Sequence, residues 1–363
     1  MNAVGSRKLD LDTPALVVDL DVMERNIARM ARTFREAGVG WRPHTKAIKV
    51  PLLAHKLLDA GALGVTCAKL GEAEVMAGGG VRDILIANQI VGAPKIDRLV
   101  RLLDSADVIV AVDSATNIRE LDRAAAAAGK RLRVVIEVDI GMHRAGVLPG
   151  QPAVDVASTV AAAPGLRLAG VFGWEGQTVK IADPAEKQKA VAASVGLLVE
   201  TAEACRAAGL PIDIVSCGGT GTYQHTARLP GITELQAGGG IFCDVYYHDV
   251  MHVDHDFALT VMTTVTSRPT ATRIICDAGK KTMSTDAAPP RPCTPDAVKS
   301  MGFSAEHTTI ELAEPNTELN VGDKLEFIVG YSDTTTMLHE ELFAIRHGMV
   351  EQVWPILGRG KLR

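Results

Sequence analysis

DVIVAVDSATNIRELDRAAAAAGKRLRVVIE, residues 107–137, contains one full period of the pattern that decides the fold. Asp107–Ala111 is a short β-branched, apolar run and reads as a strand. Asn117–Ala128 spaces its apolar residues as a helix does, and Gly129 supplies the stop. Arg133–Glu137 is a strand again. Outward from this unit the alternation predicts strands at Trp41–Thr45, Leu63–Cys67, Ile84–Ala87, Leu168–Phe172, Ile212–Ser216 and Ile232–Gln236. Ala190–Ala208 is another helix, closed by Gly209. Eight such strands predict an α/β chain built on a (β/α)8 TIM-type barrel. A doubly wound open sheet is the alternative that periodicity alone leaves standing.

Beyond Tyr247 the texture changes. Phe257–Thr266, Arg273–Asp277, His307–Leu312, Lys324–Val329 and Leu342–Arg346 read as strands without long helices between them, and Val350–Val353 as one more. Leu16–Leu20 has the same character and is placed to join that sheet, while Ala287–Thr294 reads as a loop. The expected domains are a barrel over 22–250 and a C-terminal β-rich domain made of 251–363 with 1–21.

The 363 residues are 47% hydrophobic, enough for a large core, and carry a net charge of −5 with mixed signs. That charge offers no basic footprint for nucleic acid. No apolar run approaches the roughly 20 residues of a membrane span, and residues 1–10 lack the apolar stretch of a signal peptide. The expectation is a cytoplasmic enzyme with no membrane partner. The six cysteines form no CxxC pair, so they read as buried, reduced thiols.

Barrel enzymes place their chemistry at the C-terminal ends of the strands. The first strand ends in Arg42-Pro43-His44-Thr45-Lys46. A lysine there can be desolvated and serve as a Schiff-base nucleophile. His44, two residues earlier, shares its side of a strand and is a candidate catalytic neighbour. Lys49 and Lys56 read as solvated surface charges. The last two strands run into Cys217-Gly218-Gly219-Thr220-Gly221-Thr222 and Ala237-Gly238-Gly239-Gly240-Ile241. Backbone N–H groups of such loops, with the hydroxyls of Thr220 and Thr222, suit a phosphate dianion. Tight turns are the other use of so much glycine. Arg144, between glycines after the fifth strand, can reach a phenolate or carboxylate. Trp174, after the sixth, can pack on a planar ligand or fill core, and Glu175 can serve as an ionic partner or a helix N-terminal charge. His225, His248, His252 and His255 match no ligand motif and read as packing or interface residues.

The segments LDTPALVVDLD, WRPHTKAIK, GVTCAKLGEAEVM, DILIANQIVG, GMHRAG, GWEGQ, CGGTGTY, ELQAGGGIF and CDAGKKTMS occur in order along nearly the whole chain. Together they resemble the D-threonine aldolase and D-serine dehydratase family, fold type III pyridoxal-phosphate enzymes related in structure to alanine racemase. The resemblance implies a barrel plus a β domain, and a homodimer with active sites near the subunit interface. It implies that Lys46 carries the cofactor and that Arg144 meets its phenolic oxygen. Gly219, Thr220, Gly221, Gly239, Gly240 and Ile241 would hold its phosphate, and Gln236 would face the pyridine nitrogen. Alanine racemases place an arginine at that last position, so glutamine argues mildly against a plain racemase. Family members also carry a divalent-metal site written His-x-Asp or His-x-Cys. Here the matching residues are Tyr331 and Asp333. Three alternatives follow: Mg²⁺ or Mn²⁺ held by Asp333 and waters, a substitute ligand such as His339, or no metal with Tyr331 as the acid–base residue. The implied reaction is aldol cleavage of a D-configured β-hydroxy-α-amino acid. A dehydratase, racemase or transaminase, and a non-catalytic cofactor-binding protein, are the alternatives.

Overall fold

A computed structural model describes residues 3–363, which form two compact units: residues 28–238 with 360–363, and residues up to 27 with 239–359. In chain order the strands are β1 (Ala15–Asp19), β2 (Gly40–Trp41), β3 (Val65–Cys67), β4 (Asp83–Gln89), β5 (Asp107–Val112), β6 (Leu132–Glu137), β7 (Leu166–Phe172), β8 (Ile214–Cys217) and β9 (Glu234–Leu235). Then come β10 (Leu259–Thr270), β11 (Arg273–Cys276), β12 (Arg291–Pro292), β13 (Val298–Phe303), β14 (Thr308–Leu312), β15 (Lys324–Ile328), β16 (Glu341–Arg346) and β17 (Met349–Pro355). No helix among the described residues is long and apolar enough to cross a membrane.

The first of these units is the barrel. Its strands run parallel in the order β2-β9-β8-β7-β6-β5-β4-β3. A parallel bridge between His44 and Thr66 joins the two ends, with Thr45 N–H donating to the Thr66 carbonyl at 2.7 Å and Thr66 N–H to Pro43 at 2.9 Å. The ring therefore closes, which excludes the open sheet. The β2 ladder is shorter than the expected Trp41–Thr45 because Pro43 has no N–H to donate. Strands covered on both faces are apolar throughout, as in Val108–Val112. Inside the ring Leu85, Ile109, Ala111, Val135, Ala169, Phe172 and Ile214 form one buried cluster. The helices begin where local chemistry starts them. The Ser114 side chain caps Ala115–Ala127 by accepting the Asn117 N–H, and Asp183 caps Pro184–Ala207 through the N–H groups of Ala185 and Glu186.

The other unit is a nine-stranded mixed sheet. Its main path is β13-β14-β11-β10-β1-β16-β17, with β15 pairing both β10 and β12. The N-terminal strand β1 lies antiparallel to β10 (Ala15 opposite Met262) and parallel to β16 (Val17 opposite Phe343). Two strands escaped the sequence reading. β12 lies in the stretch expected to be loop. β13, with Lys299, Ser300 and Gly302 among its residues, lacks a regular apolar face and is held as a hairpin partner of β14.

Candidate active site

The Lys46 turn leaves β2 between two clamps. On one side Thr45, fully buried, donates its hydroxyl to the Thr66 carbonyl at 3.0 Å. On the other, Lys49 adopts a left-handed backbone (φ 55°) and buries its ammonium against Glu72. The other Glu72 oxygen accepts the N–H groups of Ala68 (2.9 Å) and Lys69 (3.2 Å). Lys49 is thus a buried structural cation, not the solvated charge expected of it. Lys46 itself is half-buried, and its N–H donates to His44 Nδ1 at 3.3 Å. His44 N–H donates in turn to the Gln236 carbonyl at 3.0 Å. A Cβ on Gly238 would stand 2.7 Å from the His44 nitrogen, so only glycine allows these two backbones to approach. Gln236 is buried and gives its side-chain N–H to Ser216 Oγ at 3.0 Å.

Arg144 and Trp174 line one small cavity together with Glu137, Asp139 and Met142. The Arg144 guanidinium lies 3.9 Å from Glu137 Oε1, at the C-terminal end of β6. Burial pushes the Glu137 carboxyl up; a hydrogen bond from Gln89 and the charge of Arg144 oppose that. Gln89 also donates to Asp113 at 3.0 Å. The sequence marked Glu137 as a strand end but gave no sign of this role.

Trp174 lies flat on the first glycine loop. A Cβ at Gly219 would come within 2.5 Å of the indole ring atom Cζ3. Behind the loop Glu175 is wholly buried. It accepts the Gly218 N–H at 3.2 Å and the hydroxyls of Thr222 and Thr226, each at 2.7 Å. Thr222 is therefore turned inward, while Thr220 and Gly221 continue the loop.

In the β-rich unit Gly239, Gly240 and Ile241 form a buried 3-10 turn. A Cβ at Gly239 would lie 2.6 Å from Tyr247 Cζ, and the Gly240 carbonyl is 2.8 Å from His255 Nδ1. His255 thus has the packing role expected of it. Tyr331 donates its hydroxyl to Asp333 Oδ2 at 2.6 Å, and Tyr247 donates to Oδ1 at 3.3 Å. Tyr246 and Tyr247 meet the Tyr331 ring edge-on, with centroids 5.0 and 5.7 Å away. Burial, then the Asp333 charge, pushes both phenols up, so at neutral pH they are proton donors. Beneath them Asp244 accepts the N–H groups of Tyr247 (2.8 Å) and Ser332 (2.7 Å). Burial pushes its carboxyl to about 7. Nothing in the sequence had singled out Tyr247 or Asp244; the tandem Tyr246-Tyr247 in an aromatic-poor chain was the available signal.

These donors fit pyridoxal phosphate. A half-buried lysine stands at one strand end, with an indole against a glycine cradle and an arginine beside it. They do not fit a divalent cation. Both Asp333 oxygens are taken by neutral phenols, which are poor Mg²⁺ or Mn²⁺ ligands. His339 Nε2 is 2.8 Å from the Thr282 carbonyl, and burial lowers its basicity. Among the described residues no group of three or more His, Cys, Asp or Glu side chains is placed to hold a metal.

Comparison with known proteins agrees with this geometry. The family described as alanine racemase, N-terminal domain, matches residues 18–244, and a serine dehydratase domain matches 258–345. A 3-hydroxy-D-aspartate aldolase of Paracoccus denitrificans is 35% identical over 369 residues, 98% of this chain and 94% of the relative. The crystal structure of a D-threonine aldolase from Filomicrobium marinum superposes with a TM-score of 0.96 at 34% identity, covering 99% of both chains. A D-threo-3-hydroxyaspartate dehydratase from Delftia sp. HT23 superposes with a TM-score of 0.87 at 30% identity, covering 97% of this chain and 99% of the other. By sequence along its whole length and by fold, the chain belongs to the D-threonine aldolase and 3-hydroxy-D-aspartate aldolase family, built on the alanine racemase N-terminal domain.

Proposed function

We propose that the protein is a pyridoxal-phosphate-dependent lyase that cleaves a D-configured β-hydroxy-α-amino acid into a smaller amino acid and an aldehyde. The observation that carries this reading is whole-length likeness to two aldolases of such substrates, in a barrel that holds Lys46 on a doubly clamped turn. Pyridoxal phosphate, when bound, supplies an electron sink for the bonds at the substrate Cα.

The chain's own residues divide the remaining work. Lys46 is the covalent anchor, and its amine, once displaced by substrate, is the nearby base or acid. His44, hydrogen-bonded to the Lys46 amide, orients that turn. Arg144, with Glu137 behind it, offers a cation to the cofactor's phenolic oxygen. Trp174 packs on the planar ring. Gln236 has given its N–H to Ser216, which leaves Oε1 as an acceptor for a protonated ring nitrogen. Gly219, Thr220 and Gly221 bind phosphate from the barrel, and Gly239, Gly240 and Ile241 from the β-rich unit. Aldol cleavage needs an acceptor for the β-hydroxyl proton. Asp333 is assigned that task, its charge stabilised by the two phenols, and Tyr331 returns a proton as donor.

The test is incubation of the cofactor-loaded protein with D-threonine, D-3-phenylserine and 3-hydroxy-D-aspartate. Release of acetaldehyde, benzaldehyde or glyoxylate with glycine is the expected result. Release of ammonia with a 2-oxo acid would transfer the assignment to a dehydratase, the reading favoured by the likeness to the Delftia enzyme. A protein that stays colourless with pyridoxal phosphate would end the cofactor assignment. We also infer a cytoplasmic homodimer, supported by the family resemblance; light scattering on the purified protein tests its size.

A further inference from the structure

We propose that Glu175 is a positioning residue for the cofactor's phosphate: it holds the Gly218–Thr222 loop in its binding shape, and Thr222 is the brace of that loop, not a phosphate ligand. This rests on the cofactor assignment above and says how the barrel half of the phosphate site is built.

The argument begins with the loop's composition. Gly218, Gly219 and Gly221 have no side chains with which to fix their own conformation, and glycine loses more conformational freedom on ordering than any other residue. Something outside the loop must select one shape. Glu175 sits at the end of the neighbouring strand, fully buried, and an ionised carboxylate is an acceptor only, with room for several donors. Three neutral donors converge on it. Gly218 N–H, at the loop's start, reaches Oε2, while the hydroxyls of Thr222, at its end, and Thr226, in the following turn, reach Oε1. The carboxylate therefore ties the loop's entrance to its exit.

Proton arithmetic then decides what Thr222 does. A hydroxyl has one hydrogen to donate. Glu175 Oε1 lies 2.7 Å from Thr222 Oγ1, and the competing Gly219 carbonyl 3.4 Å away. The hydrogen goes to Glu175. The oxygen's lone pairs then face the Gly219 N–H, which donates to Thr222 Oγ1 at 3.2 Å. The Thr222 N–H donates to the Gly219 carbonyl at 3.0 Å. Both donors of Thr222 are thus spent inside the loop, although its position in the motif suggests a phosphate contact. Trp174, the residue just before Glu175, lies on Gly219 from the other side, so two consecutive residues grip the loop.

The experiment measures affinity for pyridoxal phosphate and for pyridoxal, which lacks the phosphate, on full-length protein stripped of cofactor. Binding is read from visible absorption and from the 31P signal of bound pyridoxal phosphate. Glu175→Gln should weaken pyridoxal phosphate by about 10- to 100-fold, as expected for orphaned buried donors, and leave pyridoxal unchanged. Thr222→Val should lower the same ratio in the same direction. Equal loss for both compounds, or an unchanged ratio in a folded Glu175→Gln protein, overturns the proposal. Should that variant not fold, Thr222→Val and Thr226→Val read the same ratio, and an unchanged value in both overturns it. A wild-type protein that takes up neither compound removes the cofactor assignment and this inference with it. Uptake of both with a flat ratio across the variants removes this inference alone.

Discussion

Two buried carboxylates organise the two regions that carry the candidate chemistry, and they do so differently. In the barrel, Glu175 gathers two threonine hydroxyls and one amide from a loop 43–51 residues further along the chain. In the β-rich unit, Asp244 gathers backbone amides only, those of Tyr247 and of Ser332 88 residues away. The first clamp needs particular side chains at fixed spacing, so it leaves a motif. The second uses N–H groups that almost any residue supplies, so it leaves none. The region with side-chain clamps is written in the sequence, and the region with backbone clamps becomes visible only when the chain is folded.

The deepest cut falls on the barrel. Lys46→Ala removes the anchoring amine, and the expected outcome is loss of both visible absorption and aldehyde release in a protein that still folds. Retained colour would move the anchor to another lysine. Next in size is the pair behind that turn. Lys49→Met or Glu72→Leu alone strands a buried charge and should cost about 3–5 kcal/mol in denaturant unfolding, while the double replacement should recover most of it. Single variants as stable as wild type would mean that the turn is not held by this pair.

The contrast also explains what could be read in advance. The barrel strands, the glycine loops, Lys46, Arg144 and Trp174 were legible because each lies at a strand end, where periodicity changes. β1 was legible too, as a short apolar run with no helix of its own. Lys49 was misread because its burial depends on Glu72, 23 residues away, and on a left-handed backbone that no lysine announces. β13 was missed because its pairing with β14 supplies the order that its Lys299, Ser300 and Gly302 do not. Tyr247 and Asp244 were missed because their partners come from the Tyr331–Asp333 segment, far along the chain.

A third test sharpens the β-rich side. Tyr331→Phe keeps the ring against Tyr246 and Tyr247 but removes the donor to Asp333. Aldehyde release should fall by about 100-fold or more, with cofactor absorption unchanged. EDTA should leave the wild-type rate as it was. Loss of activity in EDTA that Mn²⁺ restores would return Asp333 to the role of metal ligand.

The smallest effect, and the one most specific to a backbone clamp, lies at Asp244. Its carboxyl is pushed up to about 7 in the folded chain, first by burial, against about 3.9 when unfolded. The folded state therefore binds this proton more tightly than the unfolded state does. Asp244 contributes stability that is complete below about pH 4 and ebbs as pH rises towards 7, with a slope of up to about 1.4 kcal/mol per pH unit. Asp244→Asn cannot titrate, and it turns an amide NH₂ towards one of the two backbone donors, which costs about 1–3 kcal/mol at any pH. Urea unfolding of both proteins at pH 5 and pH 8 separates the two effects. The variant should be clearly weaker at pH 5 and should close on wild type, or pass it, at pH 8. A gap of constant size would mean that Asp244 is charged throughout. The β-rich clamp would then be an ionised carboxylate like the one assigned to the barrel, and the distinction between the two regions would lie only in which donors they use.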